Sequence, residues 1–206
     1  GLVGGQIQDK GPSGILLSLE RMNEIRSLNL DENVITVESG VILSNLRDAA
    51  EEVKRIFPLS LASEGTAQIG GNLATNAGGV NVLRYGSTRN LCLGLEVVFA
   101  DGSIWNGLSR LHKDNTGYDL KNLIIGSEGT LGIITAATMK LFPKPLEHTV
   151  ALIAVKSPED ALKLLSETKD YFGETISAFE LINKMGIDFL NETKIEVKFP
   201  FSKIPE

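Results

Sequence analysis

The 206-residue chain is 42% apolar and 22% charged, a composition that supports at least one hydrophobic core and excludes an intrinsically disordered protein. Its formal charge of −6 argues against nucleic-acid or membrane-surface partners, and no apolar run reaches the roughly 20 residues of a transmembrane helix. With one cysteine, Cys92, the chain forms no internal disulfide, so a cytoplasm or an organelle matrix is the expected compartment and a small molecule the expected ligand.

The chain begins in a glycine-rich run, GLVGG, without an initiating methionine. Because the C-terminal residues 198–206 also lack periodicity, we expect a fragment cut at both ends. Short strands are predicted at residues 14–19 and 33–39, the second because β-branched side chains dominate it. Apolar residues then recur at helical spacing over residues 43–57, which predicts a helix that ends before Pro58.

The middle of the chain changes character twice. Over residues 65–85, glycine, asparagine, alanine and threonine replace the periodic pattern, which predicts a loop system with one short helical turn. An alternating apolar run then meets Asp101–Gly102, a pair typical of a two-residue type I′ turn in a β-hairpin. A further glycine-rich turn, residues 125–133, leads into a strand that is predicted to end at Pro143.

Pro143 and Pro145 cannot continue a strand ladder, so a domain boundary is predicted between residues 1–143 and 144–206. The second domain is predicted to alternate strand, helix, strand and helix. Its predicted elements are strands at 149–155 and 176–182 and helices that follow Ser157 and Asn183. This mixture of strands and helices predicts an α+β fold class.

The most informative stretch is QIGGNLATNAGG, residues 68–79, in which two glycine pairs bracket small and amide side chains. No aspartate or glutamate occurs between residues 65 and 95, and the charges of that stretch are Arg84 and Arg89. Glycine lets a backbone approach a ligand, and an acid-free run of N–H and amide donors suits an anion. Two interpretations stay open on this pattern: an anion-binding nest, or an Ω-loop whose glycines serve positive φ.

This stretch is not a familiar nucleotide-binding motif. It lacks the Lys-Ser/Thr pair that ends a Walker loop, and it does not place GxGxxG between a strand and a helix. The runs GLVGG and GSEGTLG, residues 126–132, depart from those motifs in the same way. Three glycine-rich loops in one small chain predict instead a long ligand that lies across several of them.

Side chains with catalytic chemistry are sparse. His112 and His148 are predicted to be surface residues, and no spacing of cysteine and histidine suits zinc. No serine lies in a GxSxG setting, and Cys92 is predicted to be a small core residue. Glu128 is either a cap for its own turn or an acceptor for a ligand ribose. We therefore expect the chemistry to come from a cofactor or from residues outside this chain.

Two long motifs carry a family resemblance. They are the run from Pro58 to Gly107, which contains IGGNLATNAGG and RYGS, and the run KDNTGYDLKNLIIGSEGTLGIIT, residues 113–135. In order and spacing they resemble the FAD-linked oxidases with a flavin domain of the vanillyl-alcohol-oxidase (PCMH) type, over Gly1 to about Leu190. The chain is most similar to the D-2-hydroxyacid dehydrogenase branch, which includes D-lactate and D-2-hydroxyglutarate dehydrogenases and the glycolate oxidase D subunit.

The resemblance implies a PCMH-type FAD-binding domain over residues 1–143 and the beginning of an α+β substrate (cap) domain over residues 144–206. It implies FAD as cofactor, held by three loops. The first two loops would meet the pyrophosphate and the flavin, and the third would hold the adenosine end. The implied residues are Gly4 and Gly5 in the first loop, Ile69, Gly70, Gly71, Asn72, Ala74, Thr75, Asn76, Gly78 and Gly79 in the second, Tyr85 and Gly86 after it, and Glu128, Gly132 and Ile133 in the third.

The implied reaction is transfer of hydride from the hydroxyl-bearing carbon of a D-2-hydroxy acid to the flavin. A carrier protein, a quinone or a dye would then accept the electrons. Catalytic and metal-binding residues of the family would lie beyond Glu206, so none is predicted in this chain. Because the front of the first loop and the layer before it are missing from the sequence, the resemblance implies that this chain alone binds FAD weakly or not at all and is inactive.

Two alternatives stay open beside this interpretation. One is a flavin oxidase of the same fold that acts on another alcohol, an aldonolactone or a lipid; the motifs NTGYDL and GSEGTLGIIT favour the hydroxyacid branch over it. The other is a flavin-free binding or scaffold module that kept the fold. The absorbance of the intact protein near the flavin bands separates a flavoprotein from such a module.

Overall fold

The computed structural model describes residues 14–193, so the predictions for Gly4, Gly5 and residues 198–206 lie outside the described residues. The chain divides into two compact units, Gly1–Lys144 and Pro145–Glu206. In the first unit the strands are β1 (Ile25–Asn29), β2 (Val34–Glu38), β3 (Arg55–Ile56), β4 (Cys92–Val98), β5 (Ile104–Gly107), β6 (Ile133–Lys140) and β7 (Phe142–Pro143). The helices are α1 (Leu43–Glu52), α2 (Ile69–Ala74), α3 (Val82–Tyr85), α4 (Thr88–Leu91) and α5 (Leu120–Ile124).

The first unit is built on a five-stranded antiparallel sheet in the order β1-β2-β6-β4-β5. The central strand β6 pairs in regular register with β2, where Val34 lies opposite Lys140 and Glu38 opposite Ala136. The first four residues of β2, which has the sequence VITVE, are buried, and its β-branched side chains favour a strand.

One face of this sheet carries the hydrophobic core. Ile35 of β2, Leu95 of β4 and Met139 of β6 are fully buried in a cluster that also takes the apolar side of α1. The start of α1 is tied to the residues before α2, because Leu43 N donates to Ala67 O at 2.8 Å. This hydrogen bond holds the residues just before α2 against the start of α1.

The opposite face carries polar side chains. Thr36 and Thr138 share a hydroxyl hydrogen bond of 3.2 Å across β2 and β6. Arg26 of β1 forms ion pairs with Glu38 and Glu96, at 3.1 and 3.0 Å. The hydrogen bond from Arg26 is the main reason that the pKa of Glu96 lies below its usual value. These contacts link strands on both sides of β6.

α1 is shorter than predicted. It ends at Glu52 instead of continuing to Phe57, and Lys54 adopts a positive φ of 57°, which no helix residue has. Arg55–Ile56 pairs instead with Phe142–Pro143. Because this partner is far away in sequence, the helical periodicity did not reveal the change.

Residues 65–85 are more helical than predicted, since α2 and α3 both lie there instead of one turn. The hairpin between β4 and β5 is confirmed, but its turn is not type I′. Within Asp101–Gly102 only the glycine has a positive φ (83°), and Phe99 N donates to Ser103 O at 2.9 Å. The loop therefore holds three residues and ends on a left-handed glycine.

The strand predicted at residues 14–19 is wrong. These residues have no regular structure, and no strand within residues 14–193 pairs with them. Ile15 and Leu16 are 97% and 86% exposed. An isolated strand leaves its backbone groups without partners, so its sequence preference alone does not form one.

The second unit contains the two predicted helices, α6 (Pro158–Phe172) and α7 (Lys184–Glu192), and a short 3₁₀ turn, Gly173–Thr175. Ser157 caps α6 as predicted, because its hydroxyl accepts from Asp160 N at 3.1 Å. The strands predicted at 149–155 and 176–182 are wrong, since neither segment is regular. No helix in the described part of the chain is both long and apolar enough to cross a membrane.

Candidate functional site

A cavity of about 610 Å³ in the first unit brings two of the three predicted loops together. This volume lies within the range of about 300–1,000 Å³ that is usual for small-molecule sites. The predicted residues that line it are Gly70, Gly71, Ala74, Glu128, Gly132 and Ile133. Gln68, Ser127, Gly129, Ile134 and residues 16–20 complete its wall.

Two neighbouring glycines of α2 have different environments at this cavity. Gly70 N donates to Ser39 O at 2.7 Å, and a Cβ on Gly70 would lie 2.5 Å from Ser39 Cβ, so close packing requires this glycine. A Cβ on Gly71 would meet no atom of the described residues within 4 Å. Within residues 14–193 no acceptor bonds the Gly71 N–H. Gly71 therefore presents bare backbone and an available donor beside the cavity.

The two asparagine side chains of residues 68–79 differ in whether they have hydrogen-bond partners. Asn72 is buried, with 5% of its surface exposed, yet its NH₂ group has no hydrogen-bond partner among the described residues. An unmet buried donor costs about 1–3 kcal/mol, but Asn72 is not among the residues that line the cavity. Asn76 is already engaged, because its Oδ1 accepts from Arg89 N at 2.9 Å. Thr75 Oγ1 donates within α2, to Gly71 O at 2.9 Å.

The third loop is hydrogen-bonded directly to the C-terminal end of α2. Gly126 N donates to Leu73 O at 3.0 Å, and Glu128 N donates to Ala74 O at 2.9 Å. Glu128 has a positive φ of 51°, and the residue is exposed. The two loops thus form one continuous wall, with an exposed carboxylate at its rim.

Other predicted residues are explained by packing. The Ile69 side chain is fully buried in the core. A Cβ on Gly79 would lie 2.3 Å from Ser60 O, and one on Gly132 would lie 2.7 Å from Val97 Cγ1. Gly86 is likewise closed off, by Asn90, whereas Gly78 has ordinary room.

Tyr85 does not line the same cavity. It lines a second, larger cavity of about 1180 Å³, where its ring meets Phe142 edge-on at 4.9 Å between centroids. Lys140 also lines this second cavity and donates to Asn90 O at 2.7 Å; burial lowers the pKa of its ammonium group. The structure therefore separates Tyr85 from the residues around Gly71.

Sequence reasoning missed several residues of the site. Ser39 directly follows β2 and packs on Gly70, and its own buried hydroxyl lacks a partner among the described residues. Leu16 and Leu17 line the cavity from a segment that was expected to be a strand. Arg89 was noted as a rare charge in an acid-free run, which was the available signal of its role.

The titratable groups of the described residues offer no further site. His112 Nε2 lies 3.1 Å from Glu32 O, and His148 is exposed, as predicted for surface histidines. Among the residues that the structure describes, no three histidine, cysteine or acidic side chains lie together as metal ligands. Cys92 is buried in the core as predicted, and burial raises the pKa of its thiol to about 12.

Native Cys92 is therefore expected to resist alkylation. At pH 8 a thiol with a pKa of about 12 is ionised in about one molecule in ten thousand, and the side chain is 2% exposed. Mass spectrometry of the Cys92 peptide after iodoacetamide should show no adduct on native protein and a complete adduct after denaturation. Rapid labelling of the native protein would contradict the buried placement.

Comparison with known proteins establishes the family. The profile of a family described as FAD binding domain matches residues 1–107, more than half of the chain. The chain belongs to this FAD-binding domain family. The family is described as binding FAD, and the open backbone at Gly71 is consistent with a ligand rich in acceptor oxygens.

Curated relatives extend the likeness beyond the FAD-binding domain. The mitochondrial D-2-hydroxyglutarate dehydrogenase of Danio rerio is 42% identical over 205 residues, which are 100% of this chain and 38% of that protein. The D-2-hydroxyglutarate–pyruvate transhydrogenase of Saccharomyces cerevisiae is 37% identical over 186 residues, 90% of this chain and 38% of that protein. The chain thus spans about two fifths of the length of these relatives.

A solved structure agrees with the fold. An alkyldihydroxyacetonephosphate synthase superposes with a TM-score of 0.55 at 26% identity, over 62% of this chain and 23% of that one. Together with the family match, this confirms the predicted α+β fold of the PCMH-type FAD-binding proteins.

Proposed function

We propose that this chain forms the FAD-binding part of a dehydrogenase that oxidises a D-2-hydroxy acid, with D-2-hydroxyglutarate as the first candidate substrate. The observation that carries the cofactor assignment is the 610 Å³ cavity, where the free Gly71 N–H and the second and third loops meet. The names of the Danio rerio and Saccharomyces cerevisiae relatives support the substrate.

Each part of the cavity wall suits a different part of the cofactor. Gly71 N–H would donate to a phosphate or ribityl oxygen, which is an acceptor. Asn72 does not line the cavity, and a contact between its buried NH₂ group and the cofactor remains a proposal. The Glu128 carboxylate would accept from the ribose hydroxyls of the adenosine half. Gly70, Ala74, Gly132 and Ile133 would support the same surface through the backbone and apolar contact. Gly4, Gly5, Thr75, Asn76, Gly78, Gly79, Tyr85 and Gly86 remain proposed contacts of the cofactor or its surroundings.

Bound FAD would supply the two-electron oxidant that takes hydride from the hydroxyl-bearing carbon. The residues described in this chain would bind and orient the cofactor and exclude water from its phosphates. We assign no proton-transfer role to any described residue.

The optical spectrum of the intact protein tests this proposal. We expect flavin absorbance as purified, and bleaching of those bands after anaerobic addition of D-2-hydroxyglutarate. D-lactate and glycolate test neighbouring substrates, and L-2-hydroxyglutarate is the matched control for stereochemistry. A protein without flavin bands that also fails to take up added FAD would favour a flavin-free module; flavin that none of the D-2-hydroxy acids reduces would favour an oxidase of another substrate.

Glu128→Gln is expected to weaken FAD binding about tenfold and to leave FMN binding unchanged. Glutamine keeps the shape but removes the charge that strengthens a hydrogen bond from a ribose hydroxyl, and FMN lacks that ribose. Dissociation constants from fluorescence titration of flavin-free intact protein measure the effect. Glu167→Gln, on the exposed side of α6, is the control. An equal loss of affinity for FAD and FMN would contradict the placement of Glu128 at the adenosine end of the cofactor.

The electron acceptor and the compartment are further parts of the proposal. We propose an acceptor other than oxygen, namely a carrier protein or a quinone, because the relatives are named dehydrogenase and transhydrogenase. The word mitochondrial in the name of the Danio rerio protein supports an organelle matrix over the cytoplasm.

A further inference from the structure

Arg89, on α4, contacts both of the loops that form the cavity wall. Its main-chain N–H donates to Asn76 Oδ1 at 2.9 Å, at the end of the second loop. Its guanidinium donates through Nη1 to Asn122 O and through Nη2 to Ile125 O, just before the third loop. One half-buried residue is therefore bonded to two segments that are far apart in sequence.

The guanidinium also packs against Gly126, the first residue of the third loop. A Cβ on Gly126 would be 3.1 Å from Arg89 Nη2 and 3.6 Å from Asn76 Cβ. Gly126 N and Glu128 N are the two groups that bond the third loop to α2. Arg89 thus supports the backbone at the point where those two bonds begin.

The chemistry of the contact explains why arginine is required. Asn122 O and Ile125 O lie at the C-terminal end of α5, where helix carbonyls lack intrahelical partners and favour a positive charge. The planar guanidinium donates to the two carbonyls from two separate nitrogens in a fixed fork, whereas lysine carries its three N–H groups on one nitrogen at the end of a flexible chain. Arg84, the other charge of the acid-free run, is exposed and lies over the Tyr85 ring, so charge alone does not define this role.

We infer that Arg89 is a positioning residue, which holds the third loop in register with α2 and thereby preorganises the cofactor cavity. The inference rests on the proposed function for its effect on FAD and on the structure alone for its effect on the loop. Without the guanidinium, the carbonyls before Gly126 lose their donors, and the third loop leaves its fixed distance from α2.

Hydrogen exchange on the intact, flavin-free protein tests the effect on the loop. In Arg89→Ala we expect about tenfold faster exchange in peptides covering residues 122–130, with β6 unchanged, because a hydrogen bond from a charged group is lost. Arg110→Ala, which removes an exposed ion pair to Glu32, is the matched control and should change neither segment. Unchanged exchange at 122–130, or equal acceleration in β6, would overturn the inference.

FAD titration of the same variants tests the effect on the cofactor. Arg89→Ala should raise the dissociation constant of FAD about tenfold, Arg89→Lys should fall between it and the wild type, and Arg110→Ala should match the wild type. Equal affinities in all four proteins would refute positioning. A wild type that never binds FAD would instead refute the proposed function, while the exchange measurement would still decide whether Arg89 holds the loop.

Discussion

Replacing Gly71 by alanine is expected to weaken FAD binding while leaving the fold at least as stable. A Cβ at this position meets no atom of residues 14–193 within 4 Å, and Gly71 lines the cavity, so the added methyl group occupies space on the ligand side. Crowding of about 1–3 kcal/mol corresponds to a rise of roughly 5- to 150-fold in the dissociation constant of FAD. Because alanine is the better helix former, the free energy of unfolding should rise by about 0.5–1 kcal/mol.

Gly70→Ala is the matched control, one residue away on the same helix. Its Cβ would lie 2.5 Å from Ser39 Cβ, and its N–H is held by Ser39 O at 2.7 Å, so we expect a loss of about 1–3 kcal/mol in the free energy of unfolding. Thermal denaturation of the flavin-free intact protein and FAD titration separate the two glycines. If both variants lose stability equally, or if Gly71→Ala binds FAD as tightly as the wild type, the assignment of Gly71 as the open glycine is wrong.

Ile69→Ala is expected to cost about 2–5 kcal/mol in the free energy of unfolding, the largest stability effect among the site predictions. The side chain is fully buried in the core, and its removal leaves a cavity between α2 and the sheet. Urea denaturation at 25 °C measures the loss. Without urea we expect the Ile69→Ala variant to be folded, and its affinity for FAD should differ from that of the wild type by no more than a few-fold.

Ile133→Ala is the comparison for this variant, because Ile133 is half-buried and lines the cavity. Compared with Ile69→Ala, we expect Ile133→Ala to lose less stability and more affinity for FAD. An Ile69→Ala protein of normal stability that failed to bind FAD would mean that the Ile69 side chain faces the cofactor.

Much of the fold followed from local sequence signals. The β-branched run of β2, the hairpin of β4 and β5, the Ser157 cap of α6 and the helix α7 were all predictable, since each depends on neighbouring residues. Failures occurred where a distant partner decides the structure. The segment at 14–19 has strand composition but no strand beside it, and β3 replaces the end of α1 through pairing with β7.

The candidate site shows the same limit at the scale of single residues. The glycine run at 68–79 was found from composition, and its family resemblance indicated FAD. Composition did not separate Gly70 from Gly71, because the difference between them is set by Ser39, which precedes them by a helix and a loop. The role of Arg89 likewise depends on carbonyls at Asn122 and Ile125 that no local pattern connects to it.

The pairing of β3 with β7 affects how much of the cofactor's binding free energy is spent on ordering the chain. It joins Ile56 to Phe142, and the chain between them contains α2, Arg89 and the whole third loop. The entropy of closing this long loop is offset by strand pairing and core burial during folding. This entropy cost therefore does not reduce the free energy of cofactor binding. The segment that forms the cavity is already closed by the pairing of β3 with β7 before the ligand binds.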